Sequence, residues 1–143
     1  MASITAERYH DICAGHRVHN HESKCAHLHG HNYRIHFKVA GELDSIGRVM
    51  DFSVIKSQLC MWLEDEWDHK MLIWTEDPNL PSLAVLDPKG VVPVSFNPTA
   101  ENIAKYLVNV IGPKQLEGTG CQLLEVRVEE TAKCSATYTR TII

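Results

Sequence analysis

The sequence predicts an α+β domain in which an antiparallel four-stranded sheet carries two helices on one face. Three observations lead there. Residues 31–43 alternate strictly: Tyr33, Ile35, Phe37 and Val39 share one face, and Arg34, His36 and Lys38 share the other. That is the period of a half-buried antiparallel strand. Ile55, Leu59, Trp62 and Leu63 fall at helical spacing, and so do Ile103, Leu107, Val110 and Ile111. Strand and helix patterns come in the order β, β, β, α, then α, β, β, and strands in runs mean α+β rather than α/β. The 143 residues fit one domain with one core.

Thr5–Cys13 reads as the first strand, and His16–Lys24, polar and without period, as a loop. His31–Leu43 is the second strand. Asp44–Gly47 supplies turn chemistry, and Arg48–Phe52 is expected to return as a short strand that closes a hairpin. Ser53 is the expected cap of the first helix, which should end near Asp68. Five of the six prolines lie between Thr75 and Pro98, so this stretch is expected to be mostly loop. Gly90–Phe96 within it reads as a short edge strand, where Pro93 is tolerated. Thr99 can cap the second helix. Gln122–Glu130 is a strand whose residues Leu124, Val126 and Val128 are expected to face the core, and Ser135–Ile142 is the last strand. Such a sheet has two bare edges, which proteins pair or cover, so association through strand edges is expected.

Composition narrows the function. The net charge of −4 argues against a nucleic-acid binder. No apolar run approaches the roughly 18 residues of a membrane span. The N-terminal segment lacks the pattern of a signal peptide. The five cysteines form no Cys-x-x-Cys pair, which fits free thiols and a cytoplasmic protein. The histidines are the anomaly: eight of nine lie between His10 and His36.

His29-Gly30-His31 stands at the start of the second strand, where residues i and i+2 point to one side. Both imidazoles can therefore reach one metal, and Gly30 leaves room between them. His16, at the end of the first strand, is the natural third ligand, although spacing alone also admits His19, His21 or His27. Three protein ligands leave a fourth position open, the catalytic arrangement of Zn2+. A His-x-His pair by itself is weak, and His10 and His36 read as ordinary strand histidines.

Cys25 lies four residues before His29 among polar neighbours, and the adjacent Lys24 and a metal would favour its thiolate. Asp68-His69 pairs a carboxylate with an imidazole that it can orient. Glu130 shares the apolar face of Val126 and Val128, where a charge is costly unless matched. Cys13, Cys60, Cys121 and Cys134 read as inert thiols.

Together these residues resemble the 6-pyruvoyltetrahydropterin synthase superfamily. Ala14–Arg17 and Cys25–Tyr33 are similar to its zinc and nucleophile segment, and Gly41–Asp44 with Val49–Phe52 to its hairpin. Asp68-His69 is similar to its relay pair, and Asn97–Asn102 with Val128–Thr131 to its pterin-side motifs. The resemblance runs from about Thr5 to Arg140. The short Cys-x-x-x-His-Gly-His spacing is closest to the bacterial 6-carboxy-5,6,7,8-tetrahydropterin synthases of queuosine biosynthesis.

The resemblance implies a tunnelling fold, with subunits joined through sheet edges into a barrel, as a homohexamer of two trimers. It implies a zinc-dependent lyase that converts 7,8-dihydroneopterin triphosphate to 6-carboxytetrahydropterin, acetaldehyde and triphosphate. His16, His29 and His31 would hold zinc, and Cys25, Asp68 and His69 would move protons. Glu130 and Thr99 would lie at the pterin, and Arg17 and Lys24 at the triphosphate. Because active sites of this superfamily lie between subunits, Cys25 and the Asp68-His69 pair are expected to meet across an interface. Three other readings compete: the 6-pyruvoyl reaction without carbon–carbon cleavage, a non-catalytic zinc or pterin-binding module, and a structural zinc protein with a closed fourth position.

Overall fold

The structure, a computed structural model, describes residues 4–141. Six strands form one sheet: β1 (Thr5–His16), β2 (His29–Ala40), β3 (Met71–Trp74), β4 (Val91–Val94), β5 (Gln122–Thr131) and β6 (Cys134–Thr139). Their order is β4-β3-β1-β2-β5-β6. Three helices accompany them: α1 over residues 52–66, α2 at Leu80–Leu86 and α3 over residues 100–115. Both α1 and α3 widen to a π turn midway, at Lys56–Cys60 and Leu107–Ile111.

The two long strands set the frame. β1 and β2 pair antiparallel from Thr5↔Ala40 to His16↔His29. Alternation sends Tyr33, Ile35, Phe37 and Val39 into the core as the pattern predicts, each no more than 1% exposed. Ile55, Leu59 and Leu63 of α1 and Ile103, Leu107 and Ile111 of α3 join the same core. The opposite face of the sheet is polar, with Arg34 on Asp11, His36 on Glu129 and Lys38 on Glu125.

Several expectations are corrected. The sheet has six strands of mixed direction, not four antiparallel ones, because β3 pairs with β1 and β4 with β3, both parallel. Parallel neighbours need crossovers. α1 carries the chain from β2 to the free edge of β1, and α2 links β3 to β4. Each added strand has only four residues, too short for a period to register. The stretch from Thr75 to Pro98 is mostly loop as expected, but it also holds α2, which was not expected; Pro81 sits in its first turn, where its missing N–H costs nothing. The edge strand within that stretch is present, with Pro93 in it.

Arg48–Phe52 does not return as a strand. Arg48 is held instead by Asp44 and Asp51, at 2.9 and 3.2 Å. Asp51, not Ser53, caps α1 by accepting from the Ser53 N–H at 2.9 Å. Leu124 is not a core residue. The β2–β5 register shifts between Lys38 and Val39, so Leu123 takes the inward place at 2% exposed. An extra residue in a strand turns its successors to the other face. The last strand ends at Thr139; the predicted end at Ile142 lies outside the described residues. Thr99 caps α3 as expected, accepting from the Asn102 N–H at 3.1 Å.

Candidate metal centre and adjoining site

The last residue of β1 and the first residues of β2 are paired, and this pairing builds the centre. His16 lies opposite His29, and His31 lies two residues further along the same face. One ligand nitrogen from each of His16, His29 and His31 falls within 4.8 Å of the others, a group that could hold a metal ion. Among the described residues no other group of three such side chains does so, and His19, His21 and His27 are not part of it.

The outer nitrogens are fixed by main-chain carbonyls. His16 Nδ1 donates to the Pro98 carbonyl at 2.6 Å, and His29 Nδ1 to the His27 carbonyl at 2.7 Å. Each bond selects the tautomer that leaves Nε2 as a lone pair, the usual outer arrangement of metal-bound histidine. The two Nε2 atoms then face each other at 3.0 Å. Two lone pairs at that distance repel unless a cation lies between them. A tetrahedral zinc ion separates its nitrogens by about 3.3 Å. His31 Nε2 is buried without a hydrogen-bond partner among the described residues; the Glu130 carboxylate is 3.7 Å away, too far for a hydrogen bond. The donor set and the orphaned nitrogen both fit a metal.

Electrostatics agree. Burial pushes the His16 imidazole down to about 4, against the pull of its Pro98 hydrogen bond. Burial also lowers His31, partly opposed by Glu130. Both are neutral near pH 7, as ligands must be. Gly30 has a different role from the expected one. Its side faces away from the imidazoles, and a Cβ there would meet the Ala14 carbonyl at 3.1 Å, so it allows the close approach of β1.

β2–β5 pairing ends at Arg34↔Glu129. Beyond it lies an open depression of about 960 Å3, lined by His31, Glu130, Cys13, Asp68 and His69 among others. The Glu130 side chain is 22% exposed, so it is half-buried rather than buried. Its neighbour Glu129 is committed to His36 at 2.8 Å and Arg127 at 3.2 Å.

Asp68 Oδ2 accepts from His69 Nδ1 at 2.8 Å, which leaves His69 Nε2 free for proton transfer. The pair is pinned to β1, with the Cys13 N–H on Asp68 at 2.9 Å and the His69 N–H on the Cys13 carbonyl at 2.6 Å. Burial would raise the Asp68 carboxyl, but the Cys13 and His69 hydrogen bonds outweigh it and hold the group below the usual range. His69 has φ +61°, in the left-handed region that non-glycine residues rarely enter. Such strain is kept where surrounding contacts over-determine it.

Cys25 sits in a single 3-10 turn, Lys24–Ala26, and is half-buried. Its carbonyl accepts from the Val18 N–H at 2.9 Å. It does not line the depression that holds Asp68 and His69. Lys24 is exposed and makes no ion pair among the described residues. Arg17 is already engaged, its Nε 3.1 Å from the buried Asp77.

The sequence reading missed four features around the centre. The Pro98 and His27 carbonyls orient two of the histidines, and main-chain atoms leave no signal in residue identity. Asn97 clamps His19 by both its main-chain N–H and its carbonyl, at 3.1 and 2.9 Å. Tyr33 belongs to the core as its pattern predicts, but its hydroxyl is buried without a partner among the described residues.

The family model for 6-pyruvoyl tetrahydropterin synthase matches residues 4–141. The chain belongs to this family. The 6-carboxy-5,6,7,8-tetrahydropterin synthase of Rickettsia felis is 32% identical over 133 residues, covering 92% of this chain and 96% of its own. The enzyme of that name from Aquifex aeolicus is 35% identical over 125 residues, covering 81% and 76%. The 6-pyruvoyl tetrahydropterin synthase of Caenorhabditis elegans superposes with a TM-score of 0.70 at 27% identity, covering 99% of this chain and 98% of its own. An uncharacterized protein from Wolinella succinogenes reaches 0.84 at 23% identity, covering 99% and 100%, a likeness of fold alone. As a member of this synthase family the chain is an enzyme of pterin metabolism.

Proposed function

We propose that this chain converts 7,8-dihydroneopterin triphosphate to 6-carboxy-5,6,7,8-tetrahydropterin, acetaldehyde and triphosphate, with zinc held by His16, His29 and His31. The observation that carries the reading is the three-histidine group, whose His31 lines the depression that also holds Glu130 and the Asp68-His69 pair. The name shared by the Rickettsia and Aquifex relatives supports the reaction.

Zinc, when bound there, supplies Lewis acidity toward a substrate oxygen. The chain's own groups do the rest. Glu130 receives the amino-amide edge of the pterin, two donors on one carboxylate, and Thr99, the cap of α3, is assigned to the pterin with it. His69 takes or gives a proton at Nε2 while Asp68 orients it, and Cys25 does the same at Sγ. Arg17 and Lys24 are the candidates for the triphosphate, and only Lys24 has an uncommitted charge. Because Cys25 does not line the depression of Asp68 and His69, we infer that the two meet between subunits, in a closed homohexamer formed through the free edges of β4 and β6. No helix among the described residues is long and apolar enough to cross a membrane, in keeping with a cytoplasmic site of action.

A second reading, the 6-pyruvoyl reaction, is favoured by the likeness to the Caenorhabditis elegans enzyme. Incubation with dihydroneopterin triphosphate separates the two. Release of acetaldehyde is expected; triphosphate without acetaldehyde would select the second reading.

A further inference from the structure

On the inward face of β2, two buried polar atoms lack a hydrogen-bond partner among the described residues, His31 Nε2 and the Tyr33 hydroxyl. The first is accounted for as a metal donor. The second is not. Tyr33 is 1% exposed. Its ring stands edge-on to His16 at 5.8 Å and to His31 at 5.3 Å, so it lies against the metal group itself. Packing alone does not call for the hydroxyl: Phe37, on the same face, fills its place with a bare ring. A hydroxyl kept dry and unpaired destabilises the fold unless something arrives to pair with it.

We propose that the Tyr33 hydroxyl contacts the ligand, donating a hydrogen bond to an oxygen of the pterin's side chain next to the metal. The proposal rests on the pterin reading of this site. It divides recognition in two: Glu130 holds the ring, and Tyr33 selects for an oxygenated side chain. A site that presents a buried donor rejects ligands that cannot accept from it.

The test uses the metal-loaded protein and its Tyr33→Phe variant. Three quantities are measured: the Tm without ligand, the Kd for dihydroneopterin triphosphate, and the Kd for 6-methylpterin, which has the ring but no side-chain oxygen. The variant should match or exceed the wild-type Tm. It should bind the triphosphate at least tenfold more weakly and bind 6-methylpterin unchanged. A Tm several degrees lower would show that the hydroxyl has a structural partner and would overturn the proposal. Equal triphosphate affinity, or equal losses for both pterins, would overturn it too while leaving the pterin reading intact. Wild-type protein that bound neither pterin would instead remove the reading on which the proposal stands.

Discussion

At the residue scale, the proposed function separates groups assigned to move protons from groups assigned to hold. His69 Nε2 is free because Nδ1 is committed to Asp68, and Cys25 offers a half-buried thiol. Cys25→Ala and His69→Ala should each keep zinc and pterin binding and lose on the order of a hundred- to ten-thousand-fold in turnover. Asp68→Asn should retain more activity, because it only orients its neighbour. Single-turnover rates check this, and a near-normal rate for Cys25→Ala would remove it from the chemistry. The two adjacent glutamates differ in their commitments. Glu129 is bonded to His36 and Arg127, whereas the Glu130 side chain lines the depression with no hydrogen bond among the described residues. Glu130→Gln should weaken pterin binding at least tenfold, because an amide cannot accept two donors as a carboxylate does. Glu129→Gln should leave the affinity within about twofold. Titration calorimetry distinguishes them, and equal effects would show that β5 presents the other face.

At the element scale, the bulge in β5 decides which residues reach the core. A strict period of two from Val126 and Val128 selects Leu124, yet the extra residue hands the inward place to Leu123. Leu123→Ala should therefore cost about 2–5 kcal/mol, the range for a buried leucine, and Leu124→Ala markedly less. Urea denaturation of both variants measures this, and the reverse order would restore the unbulged register. The bulge was hidden because Leu123 and Leu124 are adjacent and identical, so residue type does not say which of the two faces the core. β3 was hidden for another reason: a four-residue strand acquires its identity from a neighbouring edge, here that of β1, whereas β4 was legible within Gly90–Phe96. The long strands and the apolar stripes of α1 and α3 were legible because burial on one face imposes a period over ten or more residues.

At the scale of the whole molecule, the neutral His16 links stability to pH. Its ordinary value is 6.5, and in the fold burial lowers it to about 4. Between these values the unfolded chain binds a proton that the folded chain does not. The stability it contributes is thus present above about pH 6.5 and is lost as pH falls toward 4, by at most about 3 kcal/mol. Metal-stripped protein should accordingly unfold at a lower urea concentration at pH 5 than at pH 7, and His16→Gln should flatten that dependence. Assembly belongs to this scale as well. β4 and β6 end the sheet with unpaired edges, and open edges invite pairing with another copy. Light scattering at micromolar concentration should give a closed oligomer of six chains; a strict monomer would refute both the assembly and an active site shared between subunits.

The sequence by itself determined the long β1–β2 pair, the two large helices, the zinc-type spacing of His29 and His31, and the family. Each rests on periodicity or on residue chemistry at fixed local separation, which the chain states directly. Tertiary structure decided what depends on distant segments meeting. It chose His16 over His19, His21 and His27, because only His16 lies opposite His29 across the strand pair. It brought the Pro98 carbonyl onto His16 from 82 residues away, and it placed Asp68 and His69 beside Cys13 rather than Cys25. It also left the Tyr33 hydroxyl unpaired inside the core, since hydrogen-bond satisfaction is a property of the packed interior and not of any residue's identity.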